Sequence, residues 1–435
     1  MKYSTSLRAG VAALALFAST LAVDAKVTVL GWPGGPEETA LRAAADLYNA
    51  RPDVTEENKV ELLFTSREGF FDKLQVDLAA GTTAFDANLI ATYSIGRYAP
   101  FMEPITLSDE AKSVFGDTVL STMQFDGKQF GVPTDLSLHF LYYRKDLTDA
   151  LMADPAAKAK YTEIAQKYLG KALEPKDPAD WTWDDFAANA LYFSQSVNPD
   201  SPTRYGTVLQ MKNLLFNMMV FHSWPRAYGA NWEDEAGNIT VDSEAYRTAL
   251  TTAKMLYDAG ATPKDSLSYE YAEANAAYDA GQVAAMVQWN AAAGDLMKAQ
   301  PQTASLPPPS GPDGRFTHIH GLGLGLNKAA PNKAGAAAFL TWLSTKEAAL
   351  AYARAGGAPG LTPEVAAELA SERTDLVQVG EYASKYGFVM RGATSEKALA
   401  VYELQAKEFT GYWAGTETLD EALANTSKGM ADLLK

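Results

Sequence analysis

Apolar positions along this chain follow two different periods. Leu136, Leu138, Phe140 and Tyr142 recur at every second residue after Pro133, while Asp135, Ser137 and His139 share the opposite face. That alternation predicts a strand with one buried side. Asp126-Gly127, just upstream, has the chemistry of a tight hairpin turn. Nearer the amino end, residues 26–32 read as a short apolar strand and Pro36 suits the first turn of a helix. Leu41, Ala44, Ala45 and Tyr48 then fall on one helical face. A strand over 60–65, a helix over 69–80 stopping at Gly81, and a strand over 86–92 follow. This βαβαβ order predicts an α/β fold whose sheets are mostly parallel and flanked by helices.

Beyond residue 150 the helical period dominates to residue 294. Trp181 to Phe186 (WTWDDF) has the form of a helix entry capped by Thr182 or Asp180. Residues 233–241 form an acidic hairpin tip, and Asp242-Ser243 open another helix. The run SLPPPSGPDG at 305–314 reads as a stiff linker. Strand character returns over 316–326. Helices over 333–343 and 346–354 follow, separated by a Ser344 or Thr345 cap and stopped at Gly356-Gly357. A last helix spans 419–434.

Composition narrows the function classes. With 435 residues, 47% of them hydrophobic, the chain can bury a large core, and its length suits two or more lobes. A formal charge of −16 without a basic cluster argues against nucleic acid. Four histidines and no cysteine argue against a structural metal or cluster, and no cofactor is expected. Lys2 and Arg8, the apolar run 9–23 and Val23-Asp24-Ala25 have the layout of a secretory signal peptide over 1–25, cleaved near Ala25. The apolar run is short for a membrane span, and the expected location is the periplasm.

Six blocks in order resemble one family. They are DGKQFGVP…LYYRKDL (126–147), WTWDDF (181–186), GNITVDSEAYRTAL…YDAG (237–260), AYDAGQVAAMVQWN (277–290), HIHGLGLGLNKAAPNKAGAAAFLTWLSTKEA (318–348) and ETLDEAL (417–423). The chain is similar to the solute-binding proteins of ATP-binding-cassette (ABC) importers, in the carbohydrate-binding family that includes maltose-binding protein. The resemblance implies a two-lobe periplasmic-binding-protein fold (type II) joined by a three-segment hinge. It places the N-terminal lobe at 26–134 plus 310–355 and the C-terminal lobe at 135–309 plus 356–435, with crossings near Thr134, Leu306 and Gly356. It implies a monomer that traps a sugar, oligosaccharide or polyol between the lobes and hands it to the transmembrane subunits of a permease.

Sugar recognition needs planar donors and acceptors for hydroxyls and aromatic planes for the C–H faces of the ring. Trp32 and Tyr93 end the first and third strands, where ligands bind in open α/β sheets. Arg67 follows the second. Trp289, emerging from the buried run at 284–287 beside Asn290, is the strongest aromatic candidate, and Trp224 is a further one. His318 and His320 lie two apart on one strand face, but H-x-H lacks supporting metal ligands. His320 is therefore read as a hydrogen-bonding group beside Gly321, whose bare backbone permits close approach. Gly321 to Gly325 lies within a strand and does not open a helix, unlike a nucleotide fingerprint. Arg354 and Arg391 are candidate donors. Asp135, Ser137 and His139 are expected at the cleft floor, with Asp135 the best-placed acceptor. The alternatives are a binder of a charged sugar acid, through Arg67, Lys212 and Arg354, or of another small solute such as a peptide, polyamine or iron, and a secreted glycoside-active enzyme using a carboxylate pair such as Asp135 and Glu37.

Overall fold

The computed structural model describes residues 26–33, 35–66 and 70–434. Strands β1 (Val27–Gly31), β2 (Val60–Phe64), β3 (Ala87–Ala91), β4 (Met102–Glu103) and β5 (Gly131–Ser137) come first. Then follow β6 (His139–Arg144), β7 (Ala285–Trp289) and β8 (Thr303–Leu306). The chain returns through β9 (Thr317–His318) and β10 (His320–Asn327), and β11 (Gly387–Phe388) is a late addition. One sheet runs β2-β1-β3-β10-β4 with β5 also on β10; a second runs β8-β6-β7.

The amino-terminal pattern translates directly. The predicted helix is Gly35–Asn49, and Leu41, Ala44, Ala45 and Tyr48 are all buried against the first sheet. The next helix is Phe70–Ala79, followed by Gly81 at φ 69°. Asp126 and Gly127 both take positive φ, 50° and 71°, as a type I′ turn requires. Thr182 accepts from the Asp185 N–H and Asp185 reciprocates, a capping box for the helix Trp183–Tyr192. Thr345 caps Lys346–Arg354, and the last helix is Leu419–Leu434.

Strand direction corrects the expectation of mostly parallel sheets. Among the described residues β1–β2, β1–β3 and the short β9–β11 pair run parallel, whereas β10 is antiparallel to β3, β4 and β5, and β6 is antiparallel to β7 and β8. The reason is geometric. A strand that presents its carboxyl end to the cleft runs toward the hinge, while a strand that has just crossed runs away from it. β6 and β10 are such crossing strands, so they oppose their neighbours.

Strand pairing also places the crossings. β5 pairs in the first sheet through Ser137 and β6 pairs in the second from His139, so the chain changes sheet at Leu138. The second change is at Ile319, between β9 and β10. The proline run, expected to cross near Leu306, is tied to residues 179–181: the Ser310 N–H donates to the Trp181 carbonyl and Arg315 donates to the Ala179 and Pro307 carbonyls. The third passage follows Arg354, where the Leu136 N–H donates to the Ala358 carbonyl at 2.7 Å. Leu136, Leu138, Phe140 and Tyr142 are at most 1% exposed and join a core that spans the hinge with Phe115, Leu361 and Val379. Each such burial contributes about 1.5–3 kcal/mol, which anchors both ends of the crossing.

Candidate ligand-binding cleft

A cavity of about 430 Å³ lies between the two sheets, beside the Leu138 and Ile319 crossings. Trp32 and Tyr93 enter it from the carboxyl ends of β1 and β3; Trp289 enters from the end of β7, with Phe216 and Tyr271 beside it. The aromatic walls are braced behind: Phe71 packs edge-on against both Trp32 (5.7 Å) and Tyr93 (5.5 Å), and Tyr93 reaches Phe216 at 6.4 Å. Polar groups punctuate the walls. Glu37, in the first turn of Gly35–Asn49, faces the cavity, and its Oε2 is buried without a partner among the described residues. Ser137, Gln210, Glu270 and His320 add to the polar lining. Gln210 is held by a chain in which its Nε2 donates to Gln288 Oε1 (3.1 Å) and Gln288 Nε2 donates to Asn275 Oδ1 (2.8 Å).

Of the residues singled out from sequence, Trp32, Tyr93, Trp289, His320 and Gly321 come together at this cavity. Arg67 and residues 1–25 lie outside the described residues. The others sit elsewhere, for definite reasons. Asp135 is 6% exposed and both of its oxygens are engaged: Tyr352 Oη donates to Oδ2 (2.5 Å) and the Ala358 N–H to Oδ1 (2.8 Å). It clips the third passage to the first. Burial raises its pKa to about 6, with those hydrogen bonds working in the opposite direction. His139 is fully buried behind Trp289, ring centroids 4.4 Å apart, and its backbone is tied to Thr317 across the crossings. Asn290 accepts from the Leu138 N–H (3.0 Å), which fastens the first crossing to β7. Trp224 stacks on Trp183 at 4.5 Å in the second-lobe core. Arg354 pairs with Glu372, and Arg391 is exposed near Asn231.

Gly321 also has a different rationale from the expected one. A Cβ there would meet Thr122 Oγ1 at 2.4 Å and Met123 Cε at 2.9 Å, behind the cleft floor. Gly323 and Gly325 face the same way, against Met123 and Met102. The GLGLG run is therefore a stripe that lets the methionines pack under β10.

Glu37, Gln210, Phe216, Met219, Glu270 and Tyr271 were not singled out as ligand contacts from sequence. Phe216 and Met219 sit within the apolar run of the helix Leu215–Phe221, where nothing in the sequence separates a cleft contact from a core one.

Comparison with known proteins agrees with this architecture. The family described as bacterial extracellular solute-binding protein matches residues 33–350. The chain belongs to this family. A putative binding protein of Brucella abortus is 26% identical over 293 residues, 66% of this chain and 62% of that protein, so the match spans less than two thirds of the relative. The lactose-binding protein of Rhizobium radiobacter is 29% identical over 187 residues, covering 42% of this chain and 39% of its own. The structure of maltose-bound MalE3 from T. maritima superposes with TM-score 0.72 at 20% identity, covering 94% of this chain and 99% of that one. That similarity establishes the two-lobe periplasmic-binding-protein fold for this family member. No helix among the described residues is long and apolar enough to cross a membrane.

Proposed function

We propose that this solute-binding protein captures a carbohydrate (a sugar, oligosaccharide or polyol) between its lobes and delivers it, chemically unchanged, to the transmembrane subunits of an ABC permease. The observation that carries the reading is the cleft itself. Aromatic planes from both lobes, Trp32 and Tyr93 against Trp289 and Tyr271, surround hydrogen-bonding side chains at Glu37, Gln210 and Glu270. Aromatic planes cover the apolar faces of a pyranose, and carboxylate and amide oxygens accept from its hydroxyls. The lactose- and maltose-binding relatives support the same ligand class. On this reading the lobes divide at Leu138 and Ile319, and contacts from both lobes stabilise the closed form. The protein acts as an exported monomer, released from its signal peptide near Ala25.

A sugar-acid ligand is less well served. Lys212 lies 3.9 Å from Glu270, and Arg354 is paired with Glu372 away from the cavity. A glycosidase built on Asp135 lacks a free carboxylate there, because Tyr352 and Ala358 occupy both oxygens. Thermal-shift screening of sugars, polyols and sugar acids, with mass spectrometry of ligand released from purified protein, tests the proposal. The expected result is a saccharide or polyol that raises the melting temperature one-to-one without product formation. Turnover of a bound saccharide, or no stabilisation across the panel, would refute it.

A further inference from the structure

All four histidines of the chain lie in one buried cluster, and three of them flank the places where the chain changes sheet. His139 follows Leu138, His318 and His320 bracket Ile319, and His222 sits behind them in the second lobe. Nε2 of His320 is 3.2 Å from Nδ1 of His318. Ring centroids are 5.4 Å apart for His222 and His318, and 6.4 Å for His139 and His320. The most exposed of the four, His320, is 4% accessible.

A neutral imidazole offers one donor and one acceptor, and a buried one normally satisfies both. Here, among the described residues, neither ring nitrogen of His139 has a partner, nor has Nδ1 of His320 or His222. The groups packed against the cluster are uncharged on every side. Tyr93 follows β3, Trp289 ends β7, and Phe388 lies on β11. Tyr402 and Gln405 face it from the helix Ala398–Ala414, and Trp232 and Tyr246 from the second-lobe core. Among the described residues no carboxylate, lysine or arginine acts on any of the four rings. A proton taken up there would be buried without a counter-charge and close to other imidazoles. Burial first, then the neighbouring rings at His139, His318 and His320, hold these groups well below the ordinary imidazole range.

Tyr93 and Trp289 cover His320 from opposite walls of the cleft. Trp289 and His139 are paired in the second sheet and His320 belongs to the first, so rotation about Leu138 and Ile319 would carry them apart, uncovering His320 and the side of His139 that faces it. We propose that the histidine cluster makes the closed cleft acid-labile: His139 and His320 accept protons only when the lobes swing apart, so acidification opens the cleft and weakens its hold on ligand. Two carboxylates line the cleft, Glu37 and Glu270, and Asp135 lies at the same crossing. Asp135 gains a proton under burial and so opposes acid opening. The clause about ligand rests on the solute-binding reading; the opening does not.

The test uses the full mature chain, which has no native cysteine. Spin labels on Val76→Cys and Thr251→Cys, exposed positions on the two lobes, report the interlobe distance. The expected result is a short distance at pH 8, a longer population at pH 5, and no lengthening in the His139→Leu/His320→Gln variant. An unchanged distance in the native background, or the same lengthening in the variant, overturns the proposal. Should the variant not fold, NMR titration of the four histidines in the unsubstituted chain decides. Protonation of His139 and His320 that coincides with lengthening supports the proposal, and titration near pH 6.5 with no lengthening overturns it. Opening without any sugar-induced stabilisation refutes only the carbohydrate reading. Sugar-induced stabilisation without opening refutes only this inference.

Discussion

At Asp135 the acid-base chemistry and the mechanics of the hinge meet in one side chain. Burial pushes its carboxyl up to a pKa of about 6 in the fold, above the ordinary aspartate value of 3.8. Between those values the native state holds the extra proton, so stability falls as pH rises through that window. The effect is about 2–3 kcal/mol. Asp135→Asn keeps an acceptor for the Ala358 N–H and removes a contribution that opposes the histidines, so stability should change more steeply between pH 4 and 6 than in the parent, read as urea midpoints across that range. At Trp289 the expected result is a 10- to 100-fold loss of sugar affinity on substitution by Ala, roughly 1.5–3 kcal/mol, with the far-UV spectrum retained. Calorimetry with the sugar identified by thermal shift checks it; unchanged affinity would remove Trp289 from the site. Trp289 was legible in the sequence because a buried run ended on it. The role of Asp135 was not, because its partners Tyr352 and Ala358 lie more than two hundred positions away.

At the scale of elements, β10 is tightly constrained on one face. Its glycines at 321, 323 and 325 all face tightly packed atoms, and a Cβ at Gly323 would stand 2.5 Å from the Val132 carbonyl oxygen and 2.7 Å from Met123 Sδ. Backbone cannot yield as a side-chain tip can, so Gly323→Ala should cost about 1–3 kcal/mol, measured by chemical denaturation. A variant as stable as the parent would contradict this packing. Helices and caps were readable because their signals are local: Thr182 with Asp185, Thr345 with Ala348, Gly81 after Phe70–Ala79. The proline run shows the converse: local stiffness does not say what a segment packs on, and its hydrogen bonds go to Trp181 and Ala179.

For the whole molecule, the four buried imidazoles dominate the acid response. Their folded pKa values lie below the unfolded value of 6.5, so the unfolded or opened chain binds more protons there and stability is lost as pH falls below that value. Four such groups give a slope of roughly 5 kcal/mol per pH unit while all stay neutral, against about 1.4 for Asp135 acting in the opposite direction. Domain stabilities are about 5–15 kcal/mol. The melting temperature should therefore drop steeply between pH 6 and 5, and calorimetric scans over that interval check it. A flat profile would place the histidines in contact with water.

The α/β class, the element order, most of the helix ends and the family are written in the sequence, because periodicity, capping and turn chemistry act over a few residues. So is the presence of aromatics at the carboxyl ends of β1, β3 and β7. Strand direction, the positions of the crossings at Leu138 and Ile319, and the membership of the cleft were decided by the tertiary structure. In the stretch from Asp135 to His139, alternation put Asp135, Ser137 and His139 on one face, and only Ser137 reaches the cavity. A strand that passes between two lobes changes its surroundings at each residue, and those surroundings come from segments far away in the chain.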